Sequence, residues 1–293
     1  MFSWFTARAH LWTVALLGLA MACGGSQKPK AEAGFSSMTW NEAEATKAPT
    51  TPPATNSALA TGEHLTWRFS LFGIELGRLA LAVGEPGAME GREVVIVRAQ
   101  VETTKMAAIF APVQQQLTTF VDMKTLQPVY QRREVEKGTE YKWVEVKLAT
   151  DAFTVNYRTR ASEEDSKGEQ KLSDPLPLFD SNSLFLAART WNTKQGDRMV
   201  VNVFREIYVW QMQIEHAGAE TIKTSLGEFP AIRYDCIGRR LQRDGTFDTS
   251  MEPRSYSFWI SDDHKRLPLS VLAKTDYGDA RMELIEHGKV ATP

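Results

Sequence analysis

From residue 63 almost to the C-terminus, apolar side chains recur at every second position. Leu65, Trp67, Phe69 and Leu71 alternate with polar neighbours, and Leu79, Leu81 and Val83 repeat the pattern. A period of two puts one set of side chains on each face of an extended chain, so these segments are strands with one buried face. Similar stretches, rich in β-branched and aromatic residues, occupy 94–101, 117–121, 129–135, 141–148, 153–158, 199–204, 207–214, 232–237, 255–260, 267–273 and 281–286. Turn signals fall between them at Glu85-Pro-Gly, Glu136-Lys-Gly, Leu226-Gly-Glu, Arg243-Asp-Gly and Tyr277-Gly-Asp. Parallel pairing would need a crossover helix between strands, and few helical patterns occur. About a dozen antiparallel strands must curl or fold on themselves. The expected fold is mainly β: a large curved antiparallel sheet, an open barrel or sandwich-like, with one short helix.

That helix is expected at 184–191. Leu184, Ala187, Ala188 and Trp191 share a face, and Asp180 or Ser181 can cap its first N–H groups. A shorter helix is expected from Lys105 to Phe110, ended by Pro112. Residues 161–177 are charged and then proline-rich, which predicts a mobile loop. Together with the helix, this stretch splits a single β-rich domain, residues 62–288, into two halves near 161–192. No internal repeat is visible.

The N-terminus addresses location. Arg8 and His10 precede an apolar run, residues 11–22, with no acidic residue before Glu32. A dozen residues are too few for a bilayer span, which needs ~20, and suit a cleaved signal peptide over residues 1–22. Leu19-Ala20-Met21-Ala22-Cys23 resembles a bacterial lipobox, with Ala20 where Leu is usual. Lipidation of Cys23, a palmitate or similar acyl chain among its groups, would anchor the chain to a membrane, since each buried CH₂ contributes ~0.8 kcal/mol. Gly24 follows, without the aspartate that marks inner-membrane retention in enteric bacteria, which predicts an outer-membrane lipoprotein facing the periplasm. Residues 23–61 hold Pro29, Pro49, Pro52 and Pro53 among Ala, Thr, Ser, Lys and Glu and read as a flexible tether. Phe35, Met38 and Trp40 interrupt it near helical spacing and are candidates to dock on the body or the lipid. Removing the leader takes away one charged side chain, Arg8, and shifts the net charge from −2 to about −3. Such a balance offers no basic face for nucleic acid. With Cys23 lipidated, Cys236 has no cysteine to pair with, so stability rests on the core.

The chemistry-bearing residues are scattered. Asp262-Asp263-His264 has the residue types of a metal or acid–base site, but strand neighbours point to opposite faces, and the following Lys-Arg-Leu-Pro predicts a turn with Asp capping backbone N–H groups. Asp122-Met-Lys-Thr-Leu predicts the same kind of turn. His64, His216, His264 and His287 have no ligand spacing, and neither His-Glu-x-x-His nor Cys-x-x-Cys occurs. There is no Gly-x-Ser-x-Gly elbow. No catalytic residue, metal or cofactor is expected. Cys236 alternates with Ile232 and Tyr234, which predicts an inert core thiol. Gly73, Gly77 and Gly227 read as strand-end turn glycines. The aromatic content, eight Trp and fourteen Phe, predicts either a large aromatic core or a concave apolar surface. On the second reading Trp67, Trp143, Tyr208 and Trp210 are the candidate ligand-binding residues.

Several landmarks occur in a fixed order: Gly62-Glu-His-Leu-Thr-Trp, Phe72-Gly-Ile-Glu-Leu-Gly, Phe120-Val-Asp-Met-Lys-Thr-Leu-Gln-Pro, Asp180-Ser-Asn-Ser-Leu, Thr224-Ser-Leu-Gly-Glu-Phe-Pro-Ala-Ile and Phe258-Trp-Ile-Ser-Asp-Asp-His-Lys-Arg-Leu-Pro. Together they resemble the periplasmic family catalogued as domain of unknown function 3108, over about residues 62–287. The resemblance implies no particular activity, because that family carries no established activity or catalytic residues. The architecture is also similar to lipoprotein-carrier folds of the bacterial envelope, and fold does not settle function. The expectation is a lipid-anchored, non-catalytic envelope protein. It would meet the membrane through its lipid and bind an apolar or glycan ligand, a lipid or another envelope protein. The alternative is an envelope polysaccharide or peptidoglycan hydrolase using acids such as Asp262 or Asp263.

Overall fold

The structure, a computed structural model, describes residues 38, 60–108, 112–137, 140–148, 152–159, 162–171, 176–205, 208–275 and 278–289, without the side chains of 140, 152–159 and 162–171. The leader, Cys23, Phe35, Trp40 and the tether to residue 59 lie outside the described residues; Met38 is half-buried.

Among the described residues fifteen strands form one sheet. The first eight are β1 (Glu63–Leu71), β2 (Ile74–Met89), β3 (Arg92–Thr103), β4 (Val113–Asp122), β5 (Pro128–Lys137), β6 (Glu140–Leu148), β7 (Ala152–Thr159) and β8 (Ser162–Lys171). A one-turn helix, α1 (Lys105–Ala108), links β3 to β4. After β9 (Leu178–Phe179) and helix α2 (Ser181–Thr190) come β10 (Arg198–Arg205), β11 (Tyr208–Thr224), β12 (Gly227–Arg240), β13 (Arg254–Ser261), β14 (Pro268–Thr275) and β15 (Gly278–Lys289). The order is β8 to β1, then β15 down to β9. Each strand lies beside its neighbour in sequence, except that β1 pairs with β15 and β8 and β9 are the two free edges. Every pair is antiparallel but β9–β10. Among the described residues no helix is long and apolar enough to cross a membrane.

The sheet rolls past closure. Its inner face carries Leu65, Trp67, Leu79, Leu81, Val97, Leu117, Met212, Ile214, Tyr234 and Ile260 in one core. A second cluster joins Val144 and Val146 of β6 to Phe204 of β10 and Val209 of β11, strands near opposite edges. Met199, Val201, Val203, Trp210 and Met212 of β10–β11 belong to the first core, while the alternate residues Phe204 and Val209 belong to the second. Both faces of β10–β11 are therefore covered, one by the interior and the other by β6. Burial of apolar area, at about 25 cal/mol per Å², holds this overlap where backbone hydrogen bonds do not. Asn202 lies in β10 with its amide fully buried and both its Oδ1 and Nδ2 unpaired, a local cost of ~1–3 kcal/mol.

Three local expectations are corrected. Residues 162–171, expected in a mobile loop, form β8, paired antiparallel with β7. The backbone ladder overrides the polar composition, and a charged strand suits an edge because it discourages pairing with another chain. Glu85-Pro-Gly is no turn: it lies inside β2 at a register shift between Val83 and Pro86. Pairing with β1 ends at Ala82, so the missing N–H of Pro86 breaks no ladder on that side. The chain reverses instead at Glu90-Gly91, both with positive φ. Gly77 sits within β2 opposite Phe69, beside a bulge, whereas Gly73 and Gly227 have the positive φ expected of turn glycines.

Candidate functional site

Helix α2 is the element that makes a site, because it lies inside the roll. Asp180 is its N-cap: the Ser183 N–H donates to Asp180 Oδ1 at 2.8 Å, and the Asp180 N–H donates to Ser183 Oγ at 2.9 Å. The other carboxylate oxygen accepts from Thr119 Oγ1 of β4 at 2.5 Å and Gln131 Nε2 of β5 at 2.7 Å. This fully buried carboxylate thus has partners for both oxygens and sits at the positive end of the helix. At the other end Arg189 grips Glu63 of β1 with two bonds, 2.6 and 3.0 Å, and donates to the Lys265 carbonyl. The helix is pinned across the interior from β4–β5 to β1 and the β13–β14 turn.

Pinned so, α2 turns Ser181, Leu184, Phe185 and Ala188, one stripe at helical spacing, toward an apolar cavity of about 160 Å³. Phe69, Leu117, Met212, Tyr256, Phe258, Ala273 and Met282 complete most of the wall. Gln115, Gln131 and Arg133 make it polar on the β4–β5 side, with Arg133 Nη2 donating to Gln115 Oε1 at 2.7 Å. Arg205 and Arg281 also line it, and no described lining residue is a carboxylate. A cavity of roughly 150 Å³ accommodates benzene, so this one seats a small apolar group such as the end of an acyl chain. Tyr256 Oη donates to Met212 Sδ at 2.8 Å. Burial, with Cys236 beside it, pushes the Tyr256 phenol well up. Burial likewise raises the Cys236 thiol, with Asp235 adding to the effect, so both groups are neutral near pH 7.

The four aromatic candidates do not form one cluster around this cavity. Trp67 is fully buried, donates its indole N–H to the Pro268 carbonyl at 2.7 Å and stacks on Phe185 at 5.8 Å, behind the wall. Trp210 is buried on the inner face of β11, two residues before Met212. Trp143 is half-buried on β6, its ring 5.7 Å from the Arg132 guanidinium. Tyr208 is exposed, and Arg240 lies over its ring at 4.6 Å. Phe69, Phe185, Met212, Tyr256, Phe258 and Met282 were not among the ligand-binding residues expected from sequence. Alternation places the strand residues among them on the inner face, but only the roll shows which inner residues border a void.

Asp262-Asp263-His264 forms the β13–β14 turn. Asp263 Oδ1 accepts from Ser261 Oγ at 2.7 Å and from the N–H groups of Lys265 and Arg266 at 3.0 and 3.1 Å. Asp122 does the same for Lys124 and Thr125 at 2.8 and 2.9 Å. Partial burial raises the Asp263 carboxyl, but the Ser261 hydroxyl and the two backbone N–H groups more than offset it and hold it below its ordinary range. A carboxyl depressed in the folded state contributes stability that is present above its unfolded pKa and lost as pH falls through the folded value. Asp263→Asn is therefore expected to be less stable than the parent at pH 7, with the gap narrowing below about pH 4, as urea unfolding at the two pH values will show. Among the described residues no three His, Cys, Asp or Glu side chains come together as a metal site.

The family model described as "Protein of unknown function (DUF3108)" matches residues 64–285, a span that contains every cavity residue named above. A beta-barrel-like protein of domain of unknown function DUF1849 from Brucella abortus is 11% identical, covering 78% of this chain and 97% of that one with a TM-score of 0.48. A candidate lipoprotein from Parabacteroides distasonis is 9% identical over 78% of this chain and 96% of its own, with a TM-score of 0.33. A candidate exported protein with a YmcC-like fold from Bacteroides fragilis is 10% identical over 78% and 97%, with a TM-score of 0.31. No curated protein matches the chain.

Proposed function

The chain belongs to the DUF3108 family of proteins of unknown function, and we propose that it is a lipid-anchored, non-catalytic binding module of the bacterial cell envelope that holds the apolar end of a ligand inside its rolled sheet. The observation that carries this reading is the cavity beneath the Ser181–Leu184–Phe185–Ala188 stripe, apolar apart from Gln115, Gln131 and Arg133 of β4–β5 and the guanidinium groups of Arg205 and Arg281. Six carbons seated there contribute on the order of 5 kcal/mol at ~0.8 kcal/mol per CH₂. That alone corresponds to sub-millimolar binding, so the rest of the ligand must add contacts at the mouth. Guanidinium groups on the wall suit an acyl chain that ends in an anionic head. Trp67 backs the wall through Phe185, Trp210 is buried on the same strand as Met212, and Trp143 and Tyr208 lie outside the cavity with Arg132 and Arg240 over their rings. The hydrolase alternative has no such support: Asp263 is committed to its turn, and no described carboxylate borders the cavity.

The test is a titration of the mature chain with a naturally fluorescent polyene fatty acid. One saturable site displaced by palmitate is expected; a linear, unsaturable signal would refute the reading. Anchoring is tested separately. Cys23→Ser is expected to move the protein from the membrane to the soluble periplasmic fraction and to abolish labelling by radioactive palmitate. Unchanged fractionation and labelling would remove the anchor from the account.

A further inference from the structure

We propose that the open end of the roll docks on a lipid surface, with the β1–β2 tip as its inserting element; this rests on the reading of the cavity as an acyl-chain site. Because the sheet is a meander, the 72–73 turn, α1 and the start of β11 all lie at one end, together with the start of β15. That is the cavity's end too: Phe69 lies three residues before the tip, Gln115 near the start of β4, Ala280 near the start of β15 and Arg205 at the end of β10. Five large apolar side chains are exposed among the described residues. Four of them are here: Phe72 at 71%, Ile74 at 62%, Met106 at 76% and Tyr208 at 41%. Stray surface hydrophobics are ordinary, but a group ringing one apolar mouth marks a contact surface.

The backbone of the tip adds an independent observation. Leu71 pairs with Ile74, so Phe72 and Gly73 are a two-residue hairpin loop, with φ of 51° and 76°. Two positive φ values define the turn that Asn-Gly serves best. A bulky residue at positive φ is an outlier, and although the ring rests against Gly278 it stays 71% exposed, so burial offsets little of the strain. Phe72 is thus unfavourable in water on two counts and favourable against hydrocarbon. Chain length points to a bilayer as the occupant. β1 starts at the opposite end of the roll, and nine residues rise roughly 30 Å. A tether of ~40 residues, the number between Cys23 and β1, would reach about 35 Å if coiled, enough for the mouth to face a bilayer that holds a lipidated Cys23.

The test uses the mature Cys23→Ser chain and flotation with phosphatidylethanolamine–phosphatidylglycerol vesicles. Binding by the parent is expected. Phe72→Asn puts the preferred residue in the turn and should leave the thermal midpoint unchanged or higher. Phe72→Asn with Met106→Ser should bind vesicles about tenfold less, while the fatty-acid titration is unchanged. Docking is overturned by a parent that ignores vesicles yet still binds the fatty acid, or that is captured through this tip by an envelope protein. It is also overturned by undiminished flotation of the double variant, or by a lower midpoint in Phe72→Asn, which would mean the ring serves the fold. Loss of fatty-acid binding by the parent would instead sink the cavity reading.

Discussion

Arg189→Met is expected to destabilise the domain by about 3–5 kcal/mol, the cost of leaving one member of a buried ion pair alone. Arg189 and Glu63 side chains are 3% and 4% exposed, and the two-bond grip satisfies both carboxylate oxygens. Without the guanidinium, Glu63 keeps only His287, whose Nε2 lies 3.1 Å from Oε1. For a domain of some 230 residues, that cost lowers the melting temperature by roughly 10 °C. The pair is an expensive fixture, since the Arg189 Nε–H is buried without a partner. The double variant Glu63→Leu/Arg189→Met should therefore be less destabilised than Arg189→Met alone, because no unpaired charge remains. Thermal unfolding of both variants decides. If the single variant melts within 2 °C of the parent, the pair does not hold α2 in the roll.

Ala273→Phe is expected to abolish fatty-acid binding while leaving the fold intact. Ala273 is buried on the inner face of β14 and lines the cavity. A phenyl ring is the kind of group a void of ~150 Å³ accepts, so the variant supplies its own occupant. New dispersion contacts oppose any overpacking, whose usual cost is ~1–3 kcal/mol. Val271→Phe, at a half-exposed lining position, repeats the test where there is more room. Both should lower affinity more than tenfold, with melting curves still cooperative. Full affinity in a folded variant would place the ligand elsewhere.

Strands and core faces were legible because the period of two is a local signal. Leu65, Trp67 and Phe69 alternate into the interior as the sequence predicts, and Cys236 lies among them, 1% exposed. The Asp263 and Asp122 turns were legible for the same reason, since each carboxylate serves N–H groups two and three residues on. β8 was hidden because its residues carry no apolar face; the hydrogen-bond partner that makes it a strand belongs to β7. The Pro86 bulge was hidden because tolerance there depends on where β1 stops pairing. The aromatic content raised a concave apolar surface as one reading, but the position and lining of the cavity were not legible. Leu117 of β4, Phe185 of α2 and Met282 of β15 look like any core residues, and whether space remains between them depends on how far the sheet rolls and where Asp180 and Arg189 pin the helix. Trp143 and Tyr208 stood out by residue type, but aromatic identity does not show which face a strand presents once the roll overlaps itself.

Native mass spectrometry of the mature chain, released gently from envelopes, tests the central claim most directly. The account predicts a one-to-one adduct with the mass of an acyl compound, retained by the parent and absent from Ala273→Phe. A bare parent mass, or an adduct that Ala273→Phe retains equally, would contradict it.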